Sequence, residues 1–165
     1  MSSSTCDPIA LARANWEREG WFDAADGMVA VTSVMRAQQI FQARVDDVLK
    51  PHGLTFARYE LLMLLHFSSS GSMPLKKASE RLQVHPTSIT NAVDRLEAAG
   101  LVTRCPHPTD GRATLVSVTD DGRRTALKAT EALNTEVFSK PGLSPRRVTT
   151  LVNVLEDLRR TAGDF

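Results

Sequence analysis

Four side chains between residues 87 and 95 carry the most specific chemistry in this sequence: Thr87, Ser88, Asn91 and Arg95. Two hydroxyls, a carboxamide and a guanidinium are groups that hydrogen-bond base edges and phosphate oxygens. Their spacing sets them apart from the core. Stepping about 100° per residue from Ile89, the apolar Ile89, Ala92, Val93 and Leu96 fall within about 60° of one line. Thr87, Asn91, Asp94, Arg95 and Ala98 fall on the opposite face. An ordinary amphipathic helix has the same two-sidedness, so the neighbouring elements have to decide what this one does.

Those neighbours are a short helix before and a hairpin after. LKKASERL, with Lys76 and Lys77 near its start, precedes a three-residue break, QVH. Pro86 then suits a first helical position, where its missing N–H costs nothing. Gly100 stops the second helix. Leu101, Val102 and Thr103 begin a strand, and the β-branched alternation from Thr114 to Val118 makes another. Between them Pro106, Pro108 and Asp110-Gly111 give a stiffened loop with a turn at its tip. Arg112, with Thr109 close by, stands at that tip, where an exposed guanidinium can enter a narrow A·T-rich minor groove. Helix, turn, helix and charged hairpin together make a winged helix-turn-helix.

Other chemistries find little support in the residues. The sequence holds no phosphate-cradling glycine loop, nucleophile elbow or metalloprotease helix, so no enzyme is expected. His52, His66, His85 and His107 are scattered without ligand spacing, so neither a metal nor a cofactor is expected. Cys6 and Cys105 also lack such spacing. Cys105 lies close to the hairpin, with Arg104 and His107 beside it, which leaves a thiol-redox regulator as one alternative. A winged-helix module that binds protein rather than DNA is another.

Composition is consistent with nucleic acid without requiring it. The net charge is +1, but residues 1–30 carry two basic and five acidic side chains, whereas residues 74–125 carry eight basic and six acidic ones. The reading lobe is therefore mildly basic and the N-terminal arm acidic. No apolar run reaches the roughly 20 residues that span a bilayer, and MSSSTCDP is no secretory signal. A chain of this kind with two free cysteines fits a reducing cytoplasm.

The remaining elements are helices. Residues 1–6 read as a disordered tail, and Asp7-Pro8 starts a helix reaching about Glu19, with Ile9, Ala12 and Trp16 on one face. Gly20 and Gly27 bracket a short connection, and a long helix is expected from Met28 to Lys50. Residues 7–54 thus form an N-terminal region and residues 55–118 the DNA-binding lobe. In that lobe a helix from Thr55 carries Leu61 to Leu65, five apolar residues in succession. Met73-Pro74-Leu75 is expected to pair with the hairpin. In the C-terminal region, 119–165, Thr119 caps a helix to about Phe138. Ser144-Pro145 opens the last helix, with Val148, Leu151, Val152, Leu155 and Leu158 as its apolar stripe. The stripes of the outermost helices need a cover, and a second copy of the chain can supply it.

The run from Arg81 to Arg124 resembles the MarR family of transcriptional regulators. The likeness rests on Asp94-Arg95-Leu96-Glu97, Gly100-Leu101-Val102, Arg104, Asp110-Gly111-Arg112 and Thr119 through Gly122. It implies a mainly α fold with a small antiparallel wing. It also implies first and last helices interlocked in a homodimer, and an inverted repeat in double-stranded DNA as the partner. A small-molecule effector between the dimerisation and DNA-binding lobes is a further implication. The N-terminal helix with Trp16 is similar to the urate-responsive branch, whose acidic residue after an aromatic corresponds to Glu60 after Tyr59, and Trp16, Arg58, Tyr59, Met63 and His66 are the residues expected to line an effector cleft. Ala92 stands where that branch has an arginine after Thr-Asn, which removes the natural partner of an anionic ligand.

Overall fold

The computed structural model describes residues 6–107 and 113–165. Thr109, Asp110-Gly111 and Arg112 lie outside the described residues, as do the first five of the expected N-terminal tail. By its internal contacts the chain divides into two units, Met1–Val45 and Asp46–Phe165.

The first unit is helical. α1, Pro8–Arg18, is capped by Asp7, whose carboxylate accepts the Ile9 N–H at 3.0 Å. Gly20, at φ 83°, turns the chain, and Trp16 and Trp21 meet edge to face with centroids 5.3 Å apart. α2, Phe22–Leu49, begins six residues earlier than the spacing of apolar residues indicated. Gly27 is consequently inside the helix and not in a connection. A mid-helix glycine costs about 1 kcal/mol relative to alanine. Ala24, Ala25, Met28 and Ala30 around it are strong helix formers and carry the helix through. Arg13 ties α1 to α2 through Asp26 at 2.7 Å while also bonding Glu17 within α1 at 2.9 Å.

In the second unit, Lys50–His52 is a short 3-10 turn closed by Gly53 at φ 68°. α3, Phe56–His66, starts at Thr55, whose hydroxyl caps the Arg58 N–H. Leu61, Leu62 and Leu65 are fully buried, as the apolar run required. β1, Ser72–Pro74, leads directly into α4, Leu75–Leu82. Gln83, at φ 53°, makes the tight turn into α5, Pro86–Ala98. β2, Val102–Pro106, and β3, Thr114–Val118, form the wing strands.

The sheet is antiparallel in the order β1-β3-β2, with Met73 opposite Val116 and Val102 opposite Val118. Met73, Val102 and Val116 are buried under it. Pro106 ends β2 on a sheet edge, where a residue without an N–H is tolerated. α6, Asp120–Leu133, is capped by Thr119, whose hydroxyl accepts the Gly122 N–H at 3.0 Å. A wide helical turn, Asn134–Phe138, extends it. α7, Pro145–Thr161, opens at Ser144 and leaves Leu151, Val152, Val154 and Leu158 exposed.

Candidate nucleic-acid interface

The two faces of α5 are as its sequence requires. Ile89, Ala92, Val93 and Leu96 are buried, and Thr87, Ser88, Asn91 and Arg95 are exposed. His85 holds the start of the helix: its Nδ1 accepts the Thr87 N–H at 3.2 Å and lies 3.1 Å from the Thr87 hydroxyl. The helix therefore presents its N-terminal turn, rich in hydroxyls, with its backbone end fixed. Lys76 and Lys77 are exposed on α4. Lys76 borders a groove between α4 and α5 floored by Leu75, Pro86 and Ile89. Lys77 lines a separate hollow with Arg81 and the serines of the loop before β1.

The acidic residues of α5 would repel DNA if left bare. Asp94 and Glu97, three apart on one face, both meet Arg104 of β2 at 2.5 Å. The Arg104 backbone N–H also donates to Glu97 at 3.2 Å. Partial burial alone would lower the Arg104 pKa. Its hydrogen bonds to Asp94 and Glu97 outweigh that and hold it above the ordinary arginine value. One cation thus neutralises the helix and ties it to the wing. Sequence reasoning missed this role of Arg104, although two acids at i and i+3 on a presumed reading helix signal the need for a counter-ion.

Arg95 forms no ion pair among the described residues, so its guanidinium is available. With Ser88 and Asn91 it faces a cavity of about 430 Å3 whose other wall is Thr55 and Arg58, at the start of α3.

The residues assigned to an effector do not all share one face. Trp16 lies in the first unit. On α3, Tyr59, Met63 and His66 turn toward α6. The Tyr59 hydroxyl is 3.0 Å from that of Thr130, which donates to the Met63 sulfur at 3.3 Å. Arg123 donates to His66 Nδ1 at 2.8 Å. Tyr59 and Met63 are buried there. Arg58 belongs instead to the cavity beside α5.

Glu60, also on α3, has its carboxyl pKa raised by burial above the ordinary 4.5. The folded state therefore favours the protonated form. The stabilisation this provides is complete below pH 4.5 and is lost as pH rises through the raised value. Glu60→Gln, neutral at every pH, should raise the melting temperature at pH 7 by about 1–3 °C. It should also flatten the decline of stability between pH 4 and 7. Calorimetry of both proteins across that range checks it.

Described residues include no group of three or more His, Cys, Asp and Glu side chains placed to hold a metal, and no helix long and apolar enough to cross a membrane. Cys6 and Cys105 are both free and exposed.

A recognition helix behind a short helix and a tight turn, followed by a two-stranded wing, defines the winged helix-turn-helix class. Residues 52–113 match the model of the MarR family. HTH-type transcriptional regulator Mb0904 of Mycobacterium bovis is 32% identical over 106 residues, covering 64% of this chain and 69% of that protein. Sco5413, a MarR family transcriptional regulator from Streptomyces coelicolor, is 49% identical with a TM-score of 0.78, over 85% of this chain and 97% of that one. Sco3205, a MarR family regulator of the same organism solved in complex with DNA, is 25% identical with a TM-score of 0.71, over 83% and 88%. Matches to curated relatives span between 53% and 69% of their lengths. The chain belongs to the MarR family of winged helix-turn-helix transcriptional regulators.

Proposed function

We propose that the protein binds an inverted repeat in double-stranded DNA as a homodimer and represses transcription from it. The observation that carries this is the polar face of α5, exposed along its length, with its two carboxylates neutralised from behind by Arg104. In this reading the N-terminal turns of α5 enter the major groove and Thr87, Ser88 and Asn91 meet base edges. Lys76, Lys77 and Arg95 meet phosphates. The wing, with Thr109 and Arg112 at its tip, reaches the adjacent minor groove. The exposed Leu151, Val152, Val154 and Leu158 of α7 support a second copy as their cover, and two copies require half-sites about one helical turn apart. Effector control belongs to the same reading: a small molecule moves such a dimer off DNA only by binding its DNA-competent and incompetent forms unequally. The α3–α6 contacts of Tyr59, Met63 and His66 are what it would perturb.

The test is binding to an operator selected from a randomised duplex library, with stoichiometry measured by sedimentation. Two chains per inverted repeat are expected, with affinity falling steeply as salt rises. Asn91→Ala should cost roughly 1–3 kcal/mol on the selected site and relax the preference at one or two base pairs. Arg95→Ala should weaken selected and random duplexes about equally and reduce the salt slope by about one unit. A protein with no salt-dependent DNA binding, or an Asn91→Ala variant with unchanged preference at every position, would remove the reading.

A further inference from the structure

The cavity between the start of α3 and α5 extends beyond the base-reading residues Ser88 and Asn91 to two arginines that read no base. Ser88, Asn91, Ala92 and Arg95 stand at i, i+3, i+4 and i+7, one continuous stripe along α5. Across about 430 Å3 of open space stand Thr55 and Arg58. Two guanidiniums line this space, and among the described residues no carboxylate does. Among the described residues neither Arg58 nor Arg95 has an ion pair, and Asp94 and Glu97, the acids of α5, are taken by Arg104. Arg58 is also held in place: its Nε donates to the Thr55 hydroxyl at 3.1 Å, leaving its terminal nitrogens for something else. Two like charges facing one cavity repel each other, and an anion between them is attracted by both. The remaining lining is hydroxyl and carboxamide, also suited to phosphate oxygens. The N-terminal turn of α3, a helix of eleven residues, lines the same cavity through Thr55, Ala57 and Arg58, and its positive end favours an anion there.

We infer that this cavity seats one backbone phosphate of bound duplex DNA, held between Arg58 and Arg95. The inference rests on α5 being the reading helix. A helix lying in the major groove has the flanking sugar-phosphate strands along its sides, and this cavity lies at the side of α5. Arg58 is thereby a DNA-positioning residue, outside the helix-turn-helix itself and distinct from any effector contact. A guanidinium forked against the phosphate and anchored at its Nε fixes how deeply α5 sits, without reading sequence.

The experiment pairs protein variants with DNA variants. Full-length parent, Arg58→Gln and Arg58→Lys are titrated with the selected operator and with a random duplex between 50 and 200 mM salt. Loss of one phosphate contact lowers the salt slope by about 0.9, which makes the fall in affinity across that range about threefold shallower. Arg58→Gln should show this on both duplexes, with its melting temperature unchanged, and Arg58→Lys should keep the slope with weaker binding. Operators carrying a single uncharged methylphosphonate at successive positions then locate the contact. One position on the flank of each half-site should weaken the parent and leave Arg58→Gln no weaker than before. If Arg58→Gln keeps the parental slope while Arg95→Ala loses it, the seat is overturned and the reading of α5 stands. Methylphosphonate effects identical in parent and Arg58→Gln at every position overturn it as well. If no variant and no salt concentration alters binding, the reading of α5 itself falls.

Discussion

Gly122→Ala is expected to destabilise the fold more than a single methyl added to any other glycine among the described residues. Gly122 sits in the first turn of α6, directly behind the backbone of Leu101. A Cβ there would stand inside the van der Waals envelope of the Leu101 carbonyl oxygen, 2.9 Å from its carbonyl carbon and 3.0 Å from a Val118 methyl. The oxygen cannot easily retreat, because it accepts the Thr119 N–H at 3.1 Å. The Thr119 hydroxyl in turn donates to Gly100 O at 2.8 Å and accepts the Gly122 N–H. This junction fastens the end of α5, the exit of the wing and the start of α6 at one point. Relieving the overlap requires breaking one of these bonds or shifting β3. Overpacking against backbone costs about 3 kcal/mol or more, which is roughly 6–12 °C in melting temperature for a domain of this size. Gly27→Ala, where added bulk meets nothing, should instead be neutral or mildly stabilising and serves as the control. Thermal unfolding of the two variants side by side gives the answer. A Gly122→Ala protein melting within a degree or two of the parent would show that the junction yields freely.

What the sequence disclosed and what it did not divide along one physical line. Features decided within a few residues were legible. Asp7, Thr55, Thr119 and Ser144 each precede their helices, and three of them close side-chain caps. Ile89, Ala92, Val93 and Leu96 are buried because a helix allows them no other common direction. β1 was legible to within a residue: Ser72–Pro74 forms where Met73-Pro74-Leu75 was expected, and Leu75 opens α4 instead. The misplaced start of α2 is the local exception. Gly27 is a breaker by propensity, but one glycine among good helix formers does not outweigh a helix of 28 residues. Features decided by residues distant in sequence were not legible. Arg104 reaches back from β2 to Asp94 and Glu97 on the preceding helix, a contact between two elements that neither one's periodicity reports. Arg58 faces Arg95 from a different helix, although its sequence neighbours Tyr59 and Met63 turn toward α6. No periodicity reports which of several helices a given face will meet.

Arg104→Ala should reduce DNA affinity on the order of 100-fold at low salt, more than the loss of any single base contact. The guanidinium touches both acids of α5, donating to Asp94 and to Glu97 at 2.5 Å each, with a longer bond to the Thr90 carbonyl at 3.5 Å. These are partly exposed pairs, so their direct contribution to folding is small, and the melting temperature should fall by only a few degrees. The consequence for DNA is larger. Without Arg104, two carboxylates on the reading helix face a phosphate backbone uncompensated. At an effective dielectric constant of about 40 and a distance of about 6 Å, each repulsion is roughly 1.4 kcal/mol, so the pair costs about 3 kcal/mol. Because the repulsion is Coulombic, the defect should shrink as salt rises and should appear equally on selected and random duplexes. A second possibility is that Arg104 acts by holding the wing against α5, through its backbone N–H to Glu97 and its reach to Thr90. The triple variant Arg104→Ala, Asp94→Asn, Glu97→Gln separates the two. If charge dominates, removing both carboxylates restores binding to within a few-fold of the parent although the tie to the wing stays broken. If position dominates, the triple variant binds as poorly as Arg104→Ala, and the defect persists at high salt. Affinities of all three proteins, measured on one operator between 50 and 300 mM salt, distinguish neutralisation from scaffolding.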